Sequence, residues 1–231
     1  MKNSILLMLI SISILSSCKK ETKQPKVTYE PKKEVQPHAK ATMKSMAIAD
    51  LPIQFYGTKV LIYPIGDMNF TDRGNAEDNS FRISNNMENE ITGFMQNLMF
   101  QKSEKDSLVA LTNKNILLQS VTFLKNISDK TKKQILVYTL ADADSNNDNQ
   151  LDANDIKALY ISQIDGSGFV KLSADNQELI DWNLIESQNR IYFRTIDDTN
   201  KNGKFDANDQ LHYQYVNILD VNWKATTYSV F

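Results

Sequence analysis

Two stretches of this sequence place oxygen-bearing side chains at spacings that suit a cation. The first holds Asp144, Asn146, Asp148, Asn149, Gln150, Leu151, Asp152 and Asp155, the second Asp198, Asn200, Asn202, Gly203, Lys204, Phe205, Asp206 and Asp209. They begin at 144 and 198, 54 residues apart. Each puts oxygen side chains at loop positions 1, 3 and 5, a residue tolerant of left-handed geometry at 6, an apolar one at 8, and acids at 9 and 12. Ca²⁺ is a hard ion that takes six to eight oxygens at ~2.3–2.6 Å, and a tight turn brings positions 1, 3 and 5 to one side. The carbonyl of position 7, here Gln150 or Lys204, adds another oxygen. Gly203 accepts positive φ without strain and Asn149 at modest cost. Leu151 and Phe205 are expected to pin the loops to the core. The alternative for one such loop alone is a metal-free Asx turn; two in register favour two Ca²⁺ sites. The first has four carboxylates, the second three with Lys201 and Lys204 inside it, so the first is expected to bind more tightly.

Both loops resemble EF-hand loops, above all the dockerin type, in which position 12 can be Asp. The flanking residues read as strands rather than helices, so the paired-helix opening of calcium sensors is not implied. Asp at position 12 is also one methylene shorter than Glu.

Three β-rich runs, Lys59–Tyr63, Gln134–Tyr138 and Arg190–Phe193, each enter a polar loop. β-Branched and aromatic residues dominate them and no helical period fits. In the middle unit Ala158–Ile164, an Asp165-Gly166 turn and Phe169–Leu172 make a hairpin. The first unit matches with Asn97–Phe100 and Leu108–Leu111, and the third with Leu211–Val216 and Ala225–Phe231. A fourth strand follows in two units, where Ile180, Trp182 and Leu184 alternate with polar residues, as do Val121 and Phe123. Ile53–Tyr56 stands where an N-terminal strand would complete the last repeat. The fold expected is all-β, with three antiparallel propeller-blade-like repeats over 51–231. The pattern resembles the blades of TolB-type propellers. Three blades is below the usual four to eight, leaving a small or incomplete propeller, stacked sheets, a sandwich or closure by oligomerisation. The first unit's loop, Asp67 to Asn86, has acids without the calcium register and is expected to be metal-free.

Charge divides the chain. Residues 19–50 carry eight lysines against four acids, a net of +4, and three of the five prolines; residues 51–231 carry 17 basic and 24 acidic residues, a net of −7. The first composition predicts a disordered basic tether, solvated or lying on anionic head groups. The second argues against nucleic acid and suits cations. Upstream, Lys2, the apolar run Ile5–Leu15 and Leu15-Ser16-Ser17-Cys18 resemble a lipoprotein signal with its lipobox. That implies cleavage after residue 17 and a lipidated Cys18, the sole cysteine; an ordinary secretory signal or uncleaved anchor is the alternative. Two or three acyl chains give stable anchoring, and Lys19 in place of an Asp suggests the outer membrane.

Catalytic sets are absent from the sequence. His38 lies in the tether and His212 in an alternating strand, and no zinc spacing, phosphate loop or nucleophile elbow is present. The whole resembles uncharacterised lipoproteins of Bacteroidetes-type bacteria with EF-hand-like loops in propeller-like repeats. The resemblance implies a membrane-anchored binding or scaffolding protein with a protein or glycan ligand. The rival is an envelope hydrolase acting on glycan or peptide through these carboxylates.

Overall fold

A computed structural model of the chain describes residues 25–29, 44–70 and 82–231. The signal segment, Cys18, His38 and most of the expected tether lie outside the described residues.

The strands in chain order are β1 (Lys44–Ala49), β2 (Val60–Phe70), β3 (Ser84–Met87), β4 (Glu90–Met95), β5 (Asn97–Lys102), β6 (Leu108–Ala110) and β7 (Leu117–Phe123). After the helix α1 (Lys125–Thr131) come β8 (Ile135–Ala141), β9 (Lys157–Gln163), β10 (Val170–Lys171) and β11 (Gln177–Ile185). The last are β12 (Arg190–Asp197), β13 (Gln210–Asn217) and β14 (Thr226–Thr227). They form three antiparallel sheets: β1-β2-β5-β6, β10-β9-β8-β7-β4-β3 and β11-β12-β13-β14. None closes on itself. The chain is all-β, as its β-branched and aromatic runs predict.

Each sheet is built on the same four-strand meander. The hairpin β3–β4 departs from the connection between β2 and β5 and extends the second sheet by pairing with β7. The two acidic loops hold matching places, joining β8 to β9 and β12 to β13.

The sheets stack through two apolar layers. Ile62, Leu98 and Phe100 of the first sheet meet Ile91, Val121, Leu136 and Tyr138 of the second. On the other side of the second sheet, Ile135, Val137, Leu159 and Ile161 meet Leu179, Ile191, Phe193 and Val216 of the third. β8 therefore feeds both layers with alternate residues, which is why its apolar run is continuous. β12 has one inner face and alternates: Ile191, Phe193 and Thr195 are buried, and their neighbours are half-exposed. The short helix between β7 and β8 adds Leu124 and Ile127 to the second layer. It ends at Lys132, in left-handed geometry, whose N–H donates to the Ser128 carbonyl.

Three expectations are corrected. Ile53 does not complete the last sheet; it bridges Ile62, and β1 pairs with β2, so the N-terminal residues extend the first sheet. The fourth strand of each early unit does not end its own sheet but begins the next one. Val121 pairs with Tyr138 and Trp182 with Phe193, across short connections that favour hairpin pairing. Finally, the tether is not without structure as far as residue 50. Lys44–Ala49 form β1, and residues 25–29 pack on the domain with Val27 buried.

Candidate functional site

The acidic loops share one hydrogen-bond pattern. In the first, Asp144 accepts from the N–H groups of Asp148 (3.1 Å) and Asn149 (3.0 Å), Asn146 Oδ1 from Asp148 (3.0 Å) and Asp148 Oδ1 from Gln150 (2.8 Å). In the second, Asp198 accepts from Asn202 (3.0 Å) and Gly203 (2.7 Å), Asn200 Oδ1 from Asn202 (3.0 Å) and Asn202 Oδ1 from Lys204 (2.8 Å). Asn147 and Asn149 take φ of 59° and 66°, and Lys201 and Gly203 match them at 57° and 76°. The short side chains of Asp and Asn reach backbone N–H groups two to five residues on, and this turn chemistry sets the loop path.

The position-12 acids close the loops. Asp155 Oδ2 accepts from Asp152 N–H (2.9 Å), and its Oδ1 accepts from Ser145 N–H (2.7 Å). Asp209 repeats this with Asp206 N–H (2.8 Å) and Thr199 N–H (3.1 Å). The hydroxyls of Ser145 and Thr199 in turn accept from the N–H groups of Ile156 and Gln210. Position 9 caps its own short turn: Asp152 Oδ1 accepts from Asn154 N–H and Asp206 Oδ1 from Asn208 N–H. The Asn208 N–H, followed by the Asn202 amide, holds the Asp206 carboxyl below its usual range.

Burial falls at different positions in the two loops: Asp198 is buried where Asp144 is half-buried, and the acid at position 12 is buried only in the first. Asp155 is fully buried and Asn146 nearly so, with Asn146 Nδ2 lacking a partner. Leu151 and Phe205, expected to pin the loops, are half-buried and belong to neither apolar layer. The first loop is instead fixed at its foot. Asp142 Oδ2 accepts from Tyr160 OH at 2.6 Å and pairs with Lys171 at 2.8 Å. Burial, then the Asp142 carboxylate, drives the Tyr160 phenol far above its usual range.

Residues 25–29 join the two loops. Lys26 N–H donates to the Gly203 carbonyl and Thr28 N–H to the Ser145 carbonyl, both at 2.9 Å. Ser145 Oγ donates back to the Lys26 carbonyl (2.7 Å), and Thr28 Oγ1 to the Asn146 carbonyl (2.9 Å). Lys26 pairs with Glu178 at 2.8 Å, and Lys201 lies over the Tyr29 ring. Sequence reasoning missed this segment, because Val27 is its one aliphatic residue, flanked by Pro25, Lys26, Thr28 and Tyr29. The repeated hydroxyl at loop position 2, Ser145 and Thr199, was the available signal.

As cation ligands, Asp144, Asn146, Asp148, Gln150, Asp152 and Asp155, and likewise Asp198, Asn200, Asn202, Lys204, Asp206 and Asp209, offer all-oxygen donors when 150 and 204 contribute carbonyls. That chemistry fits a hard ion. Asp144 Oδ1 and Asn146 Oδ1 converge on one N–H, that of Asp148. Among the described residues no group of three or more His, Cys, Asp or Glu side chains is drawn together to hold a metal ion. His212 lies apart in β13, its Nε2 3.3 Å from Asp197 Oδ2. Comparison with known proteins returns no matching family model, no curated relative and no similar solved structure.

Proposed function

We propose that this chain is a calcium-binding lipoprotein of the cell envelope, acylated on Cys18, held in the outer membrane and serving a binding or scaffolding role for a protein or glycan. The observation that carries the calcium reading is the bond-for-bond repetition of the two acidic loops, 54 residues apart. The recurrence of that pattern at matching joints of two sheets supports the reading of two sites. The anchor rests on Leu15-Ser16-Ser17-Cys18. Among the described residues no helix is long and apolar enough to cross a membrane.

In this reading the ions are structural. Asp144, Asn146 and Asp148 with the Gln150 carbonyl hold one, and Asp198, Asn200 and Asn202 with the Lys204 carbonyl hold the other. The position-9 and position-12 acids complete each site. We read the three meanders as blade-like units of an open stack, stiffened where each loop turns from one strand to the next.

Melting the protein in Ca²⁺ and in chelator tests the calcium reading. A site filled at a hundredfold excess over Kd adds about 2.7 kcal/mol, so the Tm rises with Ca²⁺ and falls with chelator. A chelator-insensitive melt overturns it. Mass spectrometry of the mature N-terminus tests the anchor: an acylated Cys18 is expected, and an unmodified thiol rejects it.

A further inference from the structure

We propose that residues 25–29 are a strap that seats across both acidic loops and, by seating, sets how far the domain stands from its anchor. The strap touches the two loops at once. Its Lys26 N–H ends on Gly203 and its Thr28 N–H on Ser145, the intervening Val27 is buried, and Lys26 reaches Glu178. Charge favours the seating, since Lys26 pairs with Glu178 on a domain whose residues 51–231 carry a net of −7.

Gly203 carries the signature of the strap. A Cβ there would stand 2.7 Å from the Val27 carbonyl oxygen and 2.8 Å from Pro25 Cβ. The matching position in the first loop holds Asn149 at a similar φ. Left-handed geometry alone therefore does not demand glycine at this loop position; the strap's backbone does.

Seating changes the leash. From Cys18 to Pro25 is seven residues, a reach of at most about 25 Å. The next described segment is β1, which begins at Lys44, 26 residues from Cys18, so releasing the strap raises the upper bound on the reach to about 90 Å. The seated strap thus keeps the acidic-loop end of the domain close to the lipid surface. This rests on the lipid anchor proposed above, which the N-terminal mass tests separately.

The experiment uses the full acylated protein in phosphatidylcholine vesicles containing a dansyl-headgroup lipid, as wild type, Gly203→Asn and Val27→Asp. The first variant keeps a residue that the sister loop accepts but blocks the strap; the second alters neither loop. Hydrogen exchange across residues 25–29 reads the seating. Both variants are expected to speed exchange of the Lys26 and Thr28 amides together by about tenfold or more, the loss of an opening free energy of about 1.4 kcal/mol. Energy transfer from Trp182 and Trp223 to the dansyl lipid reads the leash and is expected to fall severalfold. Unchanged exchange in Val27→Asp, or loss at Lys26 with Thr28 still protected, overturns the strap. Faster exchange with unchanged transfer overturns its control of the leash.

Discussion

Ser145 and Asp155 are joined at the neck of the first acidic loop, where the Ser145 N–H donates to Asp155 Oδ1 at 2.7 Å. Thr199 and Asp209 repeat the N–H bond at 3.1 Å in the second loop, where the acid is half-exposed. One chemical device thus sits in two solvation environments. Removing the buried acid takes the acceptor from the N–H groups of Ser145 and Asp152, at about 1–3 kcal/mol for each such group that water does not reach. Asp155→Ala is therefore expected to cost about 2–4 kcal/mol, and Asp209→Ala less than half as much, because water reaches the vacated groups. Urea unfolding of the two variants measures the difference; equal costs would show that burial does not govern the neck.

How much of this was legible depended on whether the signal was local. Strand β8 was readable from Ile135, Leu136, Val137 and Tyr138, and the loops from Asp and Asn at fixed offsets, since turn chemistry acts over a few residues. The phase of the repeat was not. A recurring four-strand meander reads alike from any starting strand, so Val121 and Trp182 did not reveal that they pair forward with Tyr138 and Phe193. The strap was hidden for another reason: its stability comes from backbone groups of residues more than a hundred positions away, Ser145 and Gly203. β1 was hidden because Met46 and Ile48 stand in a lysine-rich context that reads as tether.

Tyr138 tests the central sheet. It is fully buried, its hydroxyl sits 2.6 Å from Ser162 Oγ, and Ser162 bonds in turn to the Gln163 carbonyl. Burial drives the phenol well above its usual range. Tyr138→Phe removes one member of a chain whose other link remains, at an expected cost of about 1 kcal/mol. Leu136→Ala, on the same face of β8, opens a cavity and is expected to cost about 2–5 kcal/mol. Chemical denaturation ranks them, and a larger loss for Tyr138→Phe would contradict the packing-dominated core.

Acid should weaken the fold in a defined window. The Arg194 guanidinium, bonded to both Asp181 oxygens, holds that carboxyl below its usual range. Lys171 does the same for Asp175. A depressed folded-state pKa means that the stabilisation is fully present above the unfolded value of about 3.9 and is lost as pH falls through the lower folded value. In chelator, the Tm should stay level down to about pH 5 and drop below about pH 4. Both carboxylates are exposed, so the effect of each is small and high salt should erase it. Asp181→Asn should flatten the low-pH drop; a variant that follows the wild-type profile would remove Asp181 from this account.

The two loops should differ in calcium affinity, and one substitution should narrow the gap. The first presents Asp148 at position 5, the second Asn202, with Lys201 and Lys204 adding positive charge. A carboxylate at ~4 Å from a unit charge gains about 1 kcal/mol even in bulk water, and about twice that from a divalent ion. Each charge difference is therefore worth about tenfold or more in Kd. Asp144→Ala should abolish the tighter of two binding steps in calorimetry, and Asp198→Ala the weaker. Asn202→Asp should tighten the second step by about tenfold while leaving the first in place. It should do so although the new side chain loses the Asn202 amide bond to Asp206, 3.2 Å in the present loop, because the ion then screens the two carboxylates. If Asn202→Asp weakens the second step, repulsion from Asp206 outweighs attraction to the ion; if calorimetry shows no second step that Asp198→Ala removes, the second loop is a hydrogen-bonded turn rather than a calcium site.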